Sequence, residues 1–234
     1  MNIKPSAPEV LIEDISIVLV GSFNPAIFHP KWFEHFQLMR SNEVEDAKVD
    51  LVHHDISNFT IDWVNVQVLQ DRFFVSIKAD AYLKHLKDLV QGTFQHLSHT
   101  PVRQMGLNTT LRLKFKSEED WHCFGHYLVP KTPWDDVLNR PGMLNVQLRG
   151  ERTDDMEGFV VIGIEPDIKN PKEVLVRVND HYEAPRSEKN APTSASWAVS
   201  VLNERFEPSV KTSQELATKL LNGYLAANSV DSGA

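Results

Sequence analysis

Histidines at helical spacing are the first residues of this chain that could do chemistry. His122 and His126 stand four residues apart with Cys123 between them, so on a helix both imidazoles would lie on one face and could share a metal ion. Further ligands would have to come from a distant pair, His96 and His99. The alternative is that the two histidines lie at the rim of a packed aromatic helix face. We rank the metal site below that structural role.

A second polar cluster is the tripeptide His53-His54-Asp55 at the end of a predicted strand. Asp55 could orient either imidazole as a general base, an arrangement that many hydrolases use. Neighbouring side chains in a strand point to opposite faces, so both histidines can serve one centre only where the strand has ended. The alternative is a polar loop between strands. We expect no cofactor, and a histidine-bound metal is the alternative.

The common catalytic motifs are absent from the sequence. It contains no Gly-rich phosphate loop, no G-x-G-x-x-G, no G-x-S-x-G and no H-E-x-x-H. Acidic doublets such as Asp154-Asp155 can hold Mg²⁺, but a chain with 32 Asp and Glu contains such doublets anyway, and Asp is an ordinary turn former. The sequence therefore leaves enzymatic activity undecided and leans against it.

Two loops anchored by proline present tryptophans, which favours binding over catalysis. Trp32 follows a His-Pro-Lys run, and Trp134 follows Lys131-Thr132-Pro133 at the comparable place in the second half of the chain. Large rigid side chains of this kind are enriched among the residues that dominate protein interfaces. The alternative is that these aromatic residues are buried lids of the core. We expect Trp32, Lys131 and Trp134 to contact a protein partner.

The strands that must position these residues follow from hydrophobic periodicity. Apolar residues alternate along residues 10–20 and 102–115, which predicts two long strands. The two-residue segment Gln70-Asp71 predicts a tight antiparallel hairpin between the segments that flank it. Six shorter segments are also predicted as strands: residues 48–53, 59–69, 72–78, 144–149, 159–164 and 174–178.

Helices are predicted from amphipathic spacing and from capping residues. Asp80 and Ser117 are each predicted as the N-cap of a helix. In the last part of the chain, Pro208 is expected to end one helix and Thr212 to open another with a capping box. The predicted helical segments are residues 30–38, 80–97, 117–128 and two C-terminal helices within 197–234.

The order of elements repeats along the chain. Residues 1–99 and 100–181 have the same predicted order of elements. The sequence of residues 64–68 (VNVQV) is also similar to that of residues 144–148 (LNVQL). We infer an α+β fold of duplicated β-α-β-β-β-α units, which form a curved antiparallel sheet with helices on one face, plus C-terminal helices. Chance similarity between short strand patterns is the alternative. A polar segment at residues 182–196 is predicted to be a mobile loop, and one compact domain is expected.

Charge and hydropathy exclude several classes of protein. The 24 Lys and Arg against 32 Asp and Glu give a net charge of −8, which argues against a general polyanion binder. The single cysteine excludes a disulfide framework. The sequence contains no apolar stretch near the roughly 18 to 20 residues that a membrane-spanning helix needs, and its first residues lack the apolar core of a signal peptide. We therefore expect a cytoplasmic protein that does not enter a membrane.

The leading hypothesis is a non-enzymatic, soluble binding or adaptor protein that acts through protein–protein interaction. An enzyme with a histidine-based metal or acid–base site is the second reading. A nucleic-acid-binding module is the third, because the element order is similar, in topology alone, to that of TATA-binding-like saddles, and alternation places Arg112, Lys114 and Lys116 on one face. The net charge ranks it last. An exposed strand edge, such as residues 174–178, would allow a homodimer.

Overall fold

The structure is a computed structural model that describes residues 6–185 and 194–230. Within them, nine strands form one sheet: β1 (Glu9–Gly21), β2 (Lys48–Val52), β3 (Ile56–Ile61), β4 (Val64–Leu69), β5 (Arg72–Ile77), β6 (Val102–Lys114), β7 (Val146–Glu151), β8 (Gly158–Pro166) and β9 (Glu173–Glu183). The described helices are α1 (Pro30–His35), α2 (Ser41–Glu45), α3 (Leu83–His96), α4 (Glu118–Leu128) and α5 (Ala195–Val230). Short 3-10 turns lie at Pro25–Ile27, Asp80–Tyr82 and Thr132–Trp134.

The strands are antiparallel and lie in the order β2-β3-β4-β5-β1-β6-β9-β8-β7. The two long strands, β1 and β6, pair with each other in the middle of the sheet, starting with Glu9 opposite Lys114. Outward from this centre, β5, β4, β3 and β2 follow β1 on one side, and β9, β8 and β7 follow β6 on the other. The strands of both predicted halves, residues 1–99 and 100–181, therefore belong to one continuous sheet.

One face of the sheet, the core face, is buried under the helices. Alternate residues of β1, namely Ile15, Ile17 and Leu19, are at most 1% exposed. Phe73 on β5 and Met105 on β6 stand opposite Leu19 and are equally buried. This alternation is what the period-two pattern of the sequence predicts, because successive side chains of a strand point to opposite faces.

Two hydrophobic clusters make up this core. The first joins the strands of the first half to α1, α2, α3 and the beginning of α5, with Phe94 and Phe206 among its members. The second joins β6, β8 and β9 to α4 and the end of α5, where the rings of Phe124 and Tyr224 meet edge to face at 5.3 Å. Helix α5 is therefore shared by both clusters.

The predicted strands are confirmed with one difference in the first half. The sequence predicts a single strand over residues 59–69, but the structure divides it into β3 and β4 with a turn at Asp62 and Trp63. The buried positions change parity there, from Phe59 and Ile61 to Val64 and the alternate residues after it. A turn of two residues keeps both strands on the core face, which a continuous strand could not do.

The predicted capping residues have different outcomes. The Ser117 side chain accepts a hydrogen bond from the backbone N–H of Asp120 at 3.0 Å, which confirms Ser117 as the N-cap. Asp80 is not an N-cap, because it begins a 3-10 turn that precedes α3. The hairpin turn at Gln70-Asp71 is confirmed, since Val68 pairs with Phe73.

The prediction of two C-terminal helices is wrong. Helix α5 runs without a break from Ala195 to Val230 and contains Pro208 in its interior. Thr212 therefore lies inside the helix and does not open a new one. A proline inside a helix removes one backbone hydrogen bond, but packing of the helix on both hydrophobic clusters can outweigh that loss.

The structure does not show the predicted duplication. Residues 64–68 cover β4, whereas the similar residues 144–148 lead into β7, and these strands occupy different places relative to the central pair. Counted outward from the centre, β4 would correspond to β8. Residues 174–178 are also not an exposed edge, because β9 lies between β6 and β8. The bounds of the mobile loop predicted over residues 182–196 are wrong, because residues 182 and 183 belong to β9 and residues 195 and 196 to α5; residues 186–193 lie outside the described residues.

In the part of the chain that the structure describes, no helix is both long and apolar enough to cross a membrane.

Candidate functional site

The second face of the sheet points away from the helices, and we call it the open face. On β6 it carries Asn108, Thr110 and Arg112, which alternate with residues of the core face. The strand residues that pack against the helices belong to the two clusters on the opposite side. The open face is therefore the broad surface through which the sheet can meet a ligand or a partner.

A row of uncharged polar side chains crosses the middle of the open face. Direct register pairing connects one residue on each of the strands β3, β4, β5, β1, β6 and β9. Neighbouring strands lie about 4.8 Å apart, so the row is about 24 Å long. We call it the polar row, and its members are Thr60, Asn65, Ser76, Ser16, Asn108 and Asn179.

A trough of about 520 Å³ lies along one half of this row, above β6, β9, β8 and β7. Asn108 and Asn179 line it, together with Gln147 from the outer strand. The trough exists because Gly163, which faces it, has no side chain to fill the space above β8. A Cβ built on Gly163 meets no atom within 4 Å, so the space above it is open.

Two carboxamide oxygens of the polar row have no hydrogen-bond partner among the residues that the structure describes. Asn65 Oδ1 and Asn179 Oδ1 are buried, yet neither accepts a hydrogen bond from any group in the described part of the chain. A buried acceptor left without a donor costs free energy, and native structures contain few of them. A rotation of the carboxamide is needed before either oxygen can accept a hydrogen bond from a donor that lies on the open face.

Several cations of the open face are paired with neighbouring carboxylates. Arg112 donates to Glu13 at 2.9 Å, to Asp167 at 2.7 Å and to Glu173. This pairing lowers the pKa of the Glu13 carboxyl. Hydrogen bonds from Asn170, Arg112 and backbone N–H groups hold the pKa of the Asp167 carboxyl well below its usual range.

Other charged groups of the open face follow the same pattern. Arg177 forms an ion pair with Glu165, and the Lys114 amine lies 3.9 Å from Glu173. Burial raises the pKa of the Asp14 carboxyl, although a hydrogen bond from Ser76 opposes the change. The face therefore offers hydrogen bonds more than free charge.

An aromatic stack closes one end of the open face. The ring of Phe159 lies parallel to the ring of His181, with centroids 4.3 Å apart, and the guanidinium of Arg149 covers the other side at 3.8 Å. Burial lowers the pKa of His181, and the nearby carboxylate of Glu183 opposes that shift. No pattern in the sequence predicted this stack, because its members come from three different strands.

The predicted His53-His54-Asp55 cluster is brought together in the turn between β2 and β3. Strand β2 ends at Val52, so the strand has already ended and both imidazoles can face Asp55. His54 Nε2 lies 2.8 Å and His53 Nδ1 3.6 Å from Asp55 Oδ2. In the part of the chain that is described, these three form the only group of three side chains within metal-ligating reach of one another, and all are exposed.

His122 and His126 lie on the exposed side of α4 and line a pocket of about 340 Å³. Two cationic residues, Lys131 and Arg140, line the same pocket, and their charge opposes the binding of a metal cation there. His96, which the sequence offers as a third ligand, stacks on an aromatic ring of the first half instead. The metal-site prediction for this pair stays a prediction.

The predicted interaction residues lie in different surroundings. Trp32 is half-buried and packs on Phe33 and Phe36, at ring distances of 5.1 and 4.8 Å. Trp134 is 46% exposed, and exposed apolar residues such as Leu138 follow it closely in the chain. Lys131 Nζ is buried and forms no hydrogen bond with the residues that the structure describes. Trp134 is thus available to a partner, while Trp32 belongs to the edge of the core.

Comparison with models of known protein families and with curated proteins gave no match for this chain. The function has to be argued from the geometry of its own sites.

Proposed function

We propose that the protein is a non-enzymatic binding protein that holds a segment of a partner protein on the open face of its sheet. The observation that carries the proposal is the polar row, in which Asn65 Oδ1 and Asn179 Oδ1 are buried and accept no hydrogen bond from the described residues. Backbone N–H groups and side-chain amides of a partner are donors of the kind that these oxygens require.

The dimensions of the polar row fit an extended peptide segment. A length of about 24 Å corresponds to about seven residues of extended chain. The trough over Gly163 gives room for side chains of that segment. The surrounding groups are amides and hydroxyls, so an uncharged polar segment rich in Asn, Gln, Ser or Thr is the complementary sequence.

The charges of the open face favour a protein over a nucleic acid. Binding of a phosphate backbone requires cations that are free to displace counterions. Arg112 and Arg177 are already paired with carboxylates, and Lys114 lies close to one. Lys116, the third member of the basic face expected from the sequence, lies beyond the end of β6.

Two glycines on adjacent strands provide a matched test. Gly163→Leu on β8 fills the trough of the open face, where a Cβ meets no atom within 4 Å. Gly150→Leu on β7 makes the same change on the core face, where the nearest atom to a Cβ is 4.0 Å away. The wild type and both variants are used to capture partners from the native host, and the affinity for any stoichiometric partner is then measured with purified components.

We expect Gly163→Leu to lose the partner and Gly150→Leu to retain it. The double variant Asn108→Ala/Asn179→Ala should weaken the affinity for the purified partner about tenfold, because two hydrogen-bonding groups are removed. Equal binding by Gly163→Leu and the wild type would place the partner elsewhere. Loss of binding in Trp134→Ala alone would identify the exposed Trp134 segment as the contact. A captured nucleic acid whose binding falls steeply with salt would favour the hypothesis of a nucleic-acid-binding module.

A further inference from the structure

A second cavity, of about 440 Å³, lies on the other side of the sheet, between α5 and the strands β7, β8 and β9. We call it the α5 pocket. It is open because α5 packs along β6 and β9 and because Gly150 on β7 has no side chain to fill the space. Its walls are mainly apolar, with Val160 and Ile162 from the sheet and Leu216 from α5.

One end of the α5 pocket holds a network of paired charges. Arg152 donates to Asp154 through Nε and Nη2 at 2.8 and 2.7 Å, and also to Asp180. Its guanidinium lies 3.9 Å above the ring of Tyr182, whose hydroxyl donates to Asp180 at 2.8 Å. The Arg152 side chain is 8% exposed, so this network is part of the core. Both carboxylates accept from Arg152, and Asp154 also forms a longer ion pair with Arg205.

Two further polar groups of the α5 pocket are donors without an acceptor in the described part of the chain. Arg205 Nε and Ser209 Oγ are buried and line the pocket, yet neither has a hydrogen-bond partner among the residues described. Ser209 is 4% exposed. The two residues are four apart on α5, so they lie one helical turn from each other on the same face. The nearest carboxylate oxygen to Arg205, on Asp154, is 3.7 Å from Nη1.

We propose that the α5 pocket binds a small carboxylic acid with an apolar body, whose carboxylate accepts hydrogen bonds from Arg205 Nε–H and Ser209 Oγ–H. The apolar body lies against Ile162 and Leu216. Hydrogen bonds from a guanidinium to an anionic oxygen are roughly twice as strong as those between neutral groups, which favours a carboxylate over a neutral acceptor. Asp154 and Asp180 would repel a dianion, which argues against a phosphate.

The size of the α5 pocket suits a ligand of this class. Small-molecule sites are typically 300 to 1,000 Å³, apolar over most of their surface and equipped with a few placed polar groups. The pocket meets these criteria at 440 Å³. It also lies on the face of the sheet opposite to the polar row, so binding there is independent of the partner proposed above.

The test is isothermal titration of the intact protein with hexanoate, octanoate, decanoate and 4-phenylbutyrate. We expect at least one acid to bind with a stoichiometry of one, and octanoate to bind about tenfold more tightly than the neutral octanamide. Arg205→Met and Ser209→Ala should each weaken binding of the best acid about tenfold. Gly150→Leu fills the pocket and should abolish binding, while Gly163→Leu, on the open face, should leave it unchanged.

Thermal unfolding of each variant shows whether it is folded before it is titrated. Ser209→Ala keeps the proposal testable if a glycine variant fails to fold, because alanine is well tolerated inside a helix. The proposal is wrong if none of the four acids binds at millimolar concentration. It is also wrong if octanamide binds as tightly as octanoate, or if Ser209→Ala and Arg205→Met bind the acid as the wild type does.

Discussion

Arg152 and Arg205 line the same pocket, but their surroundings give them different roles. A buried charge is tolerated only when it is paired and hydrogen-bonded. Arg152 meets this condition through Asp154, Asp180 and the ring of Tyr182, so its contribution is to the fold. The Arg205 side chain is 34% exposed, and its buried Nε–H finds no acceptor in the described chain. A group of this kind is available to a ligand.

His181 should make the stability of the protein depend on pH. Burial against Phe159 lowers the pKa of its imidazole in the folded state, and Arg149 and Arg152 add to the effect while Glu183 and Asp180 oppose it. Below the unfolded pKa of about 6.5, the His181 imidazole is protonated in the unfolded chain but stays neutral to a lower pH in the folded protein. The free energy of unfolding should therefore decrease as the pH falls from 7.5 through this range.

The measurement is urea unfolding at pH 7.5 and pH 5.5. We expect His181→Gln to lose less stability between these two pH values than the wild type does, because the variant lacks the imidazole whose protonation is disfavoured. His126→Gln, on the exposed side of α4, controls for the general effect of removing an imidazole. An equal loss of stability in His181→Gln and the wild type would contradict the prediction.

At the scale of elements, the strands were the most predictable part of the fold. Strand positions follow from local alternation, which depends on neighbours in the sequence. The division of residues 59–69 into β3 and β4 was also visible there, as the change of parity between Ile61 and Val64. The continuity of α5 through Pro208 was not visible in the sequence. Packing against two clusters decides it, and that packing depends on residues far away in the chain.

Pro208 should lower the stability of α5, since its ring removes a backbone N–H from the middle of the helix. We expect Pro208→Ala to raise the free energy of unfolding by up to about 3 kcal/mol, the amount by which alanine exceeds proline inside helices. Chemical denaturation measures the change, and Ala227→Ser near the exposed end of α5 serves as a control. A negligible change in the free energy of unfolding would contradict the prediction.

The candidate site could not be predicted from the sequence because it is assembled across strands. Ser16 and Asn108 are neighbours in the polar row, yet 92 residues separate them along the chain. The residue types give no warning either, since Asn, Ser and Thr are common and individually ordinary. The sequence does show Asn108 and Thr110 at alternating positions of a long strand, which is the one signal that could have pointed to the open face.

At the scale of the whole molecule, two features join the halves of the chain. Strands β1 and β6 pair along their full lengths, and α5 contributes to both hydrophobic clusters. Either half without the other would leave the edge of a long strand unpaired and an apolar cluster exposed. The open face and the α5 pocket both depend on this single sheet. The residues of the open face come from strands of both halves, and those of the α5 pocket come from β7, β8, β9 and α5.

A single sheet with a shared helix should unfold in one cooperative transition. Leu113 on β6 is fully buried in the second cluster, and Leu113→Ala should lower the free energy of unfolding by about 2–5 kcal/mol through loss of buried area and the cavity left behind. Hydrogen exchange at increasing urea should show β4 in the first half and β9 in the second losing protection at the same urea concentration, in the wild type and in the variant. If Leu113→Ala lowered the midpoint of β9 while that of β4 stayed unchanged, the halves would be separate folding units, and the expected single domain would be wrong.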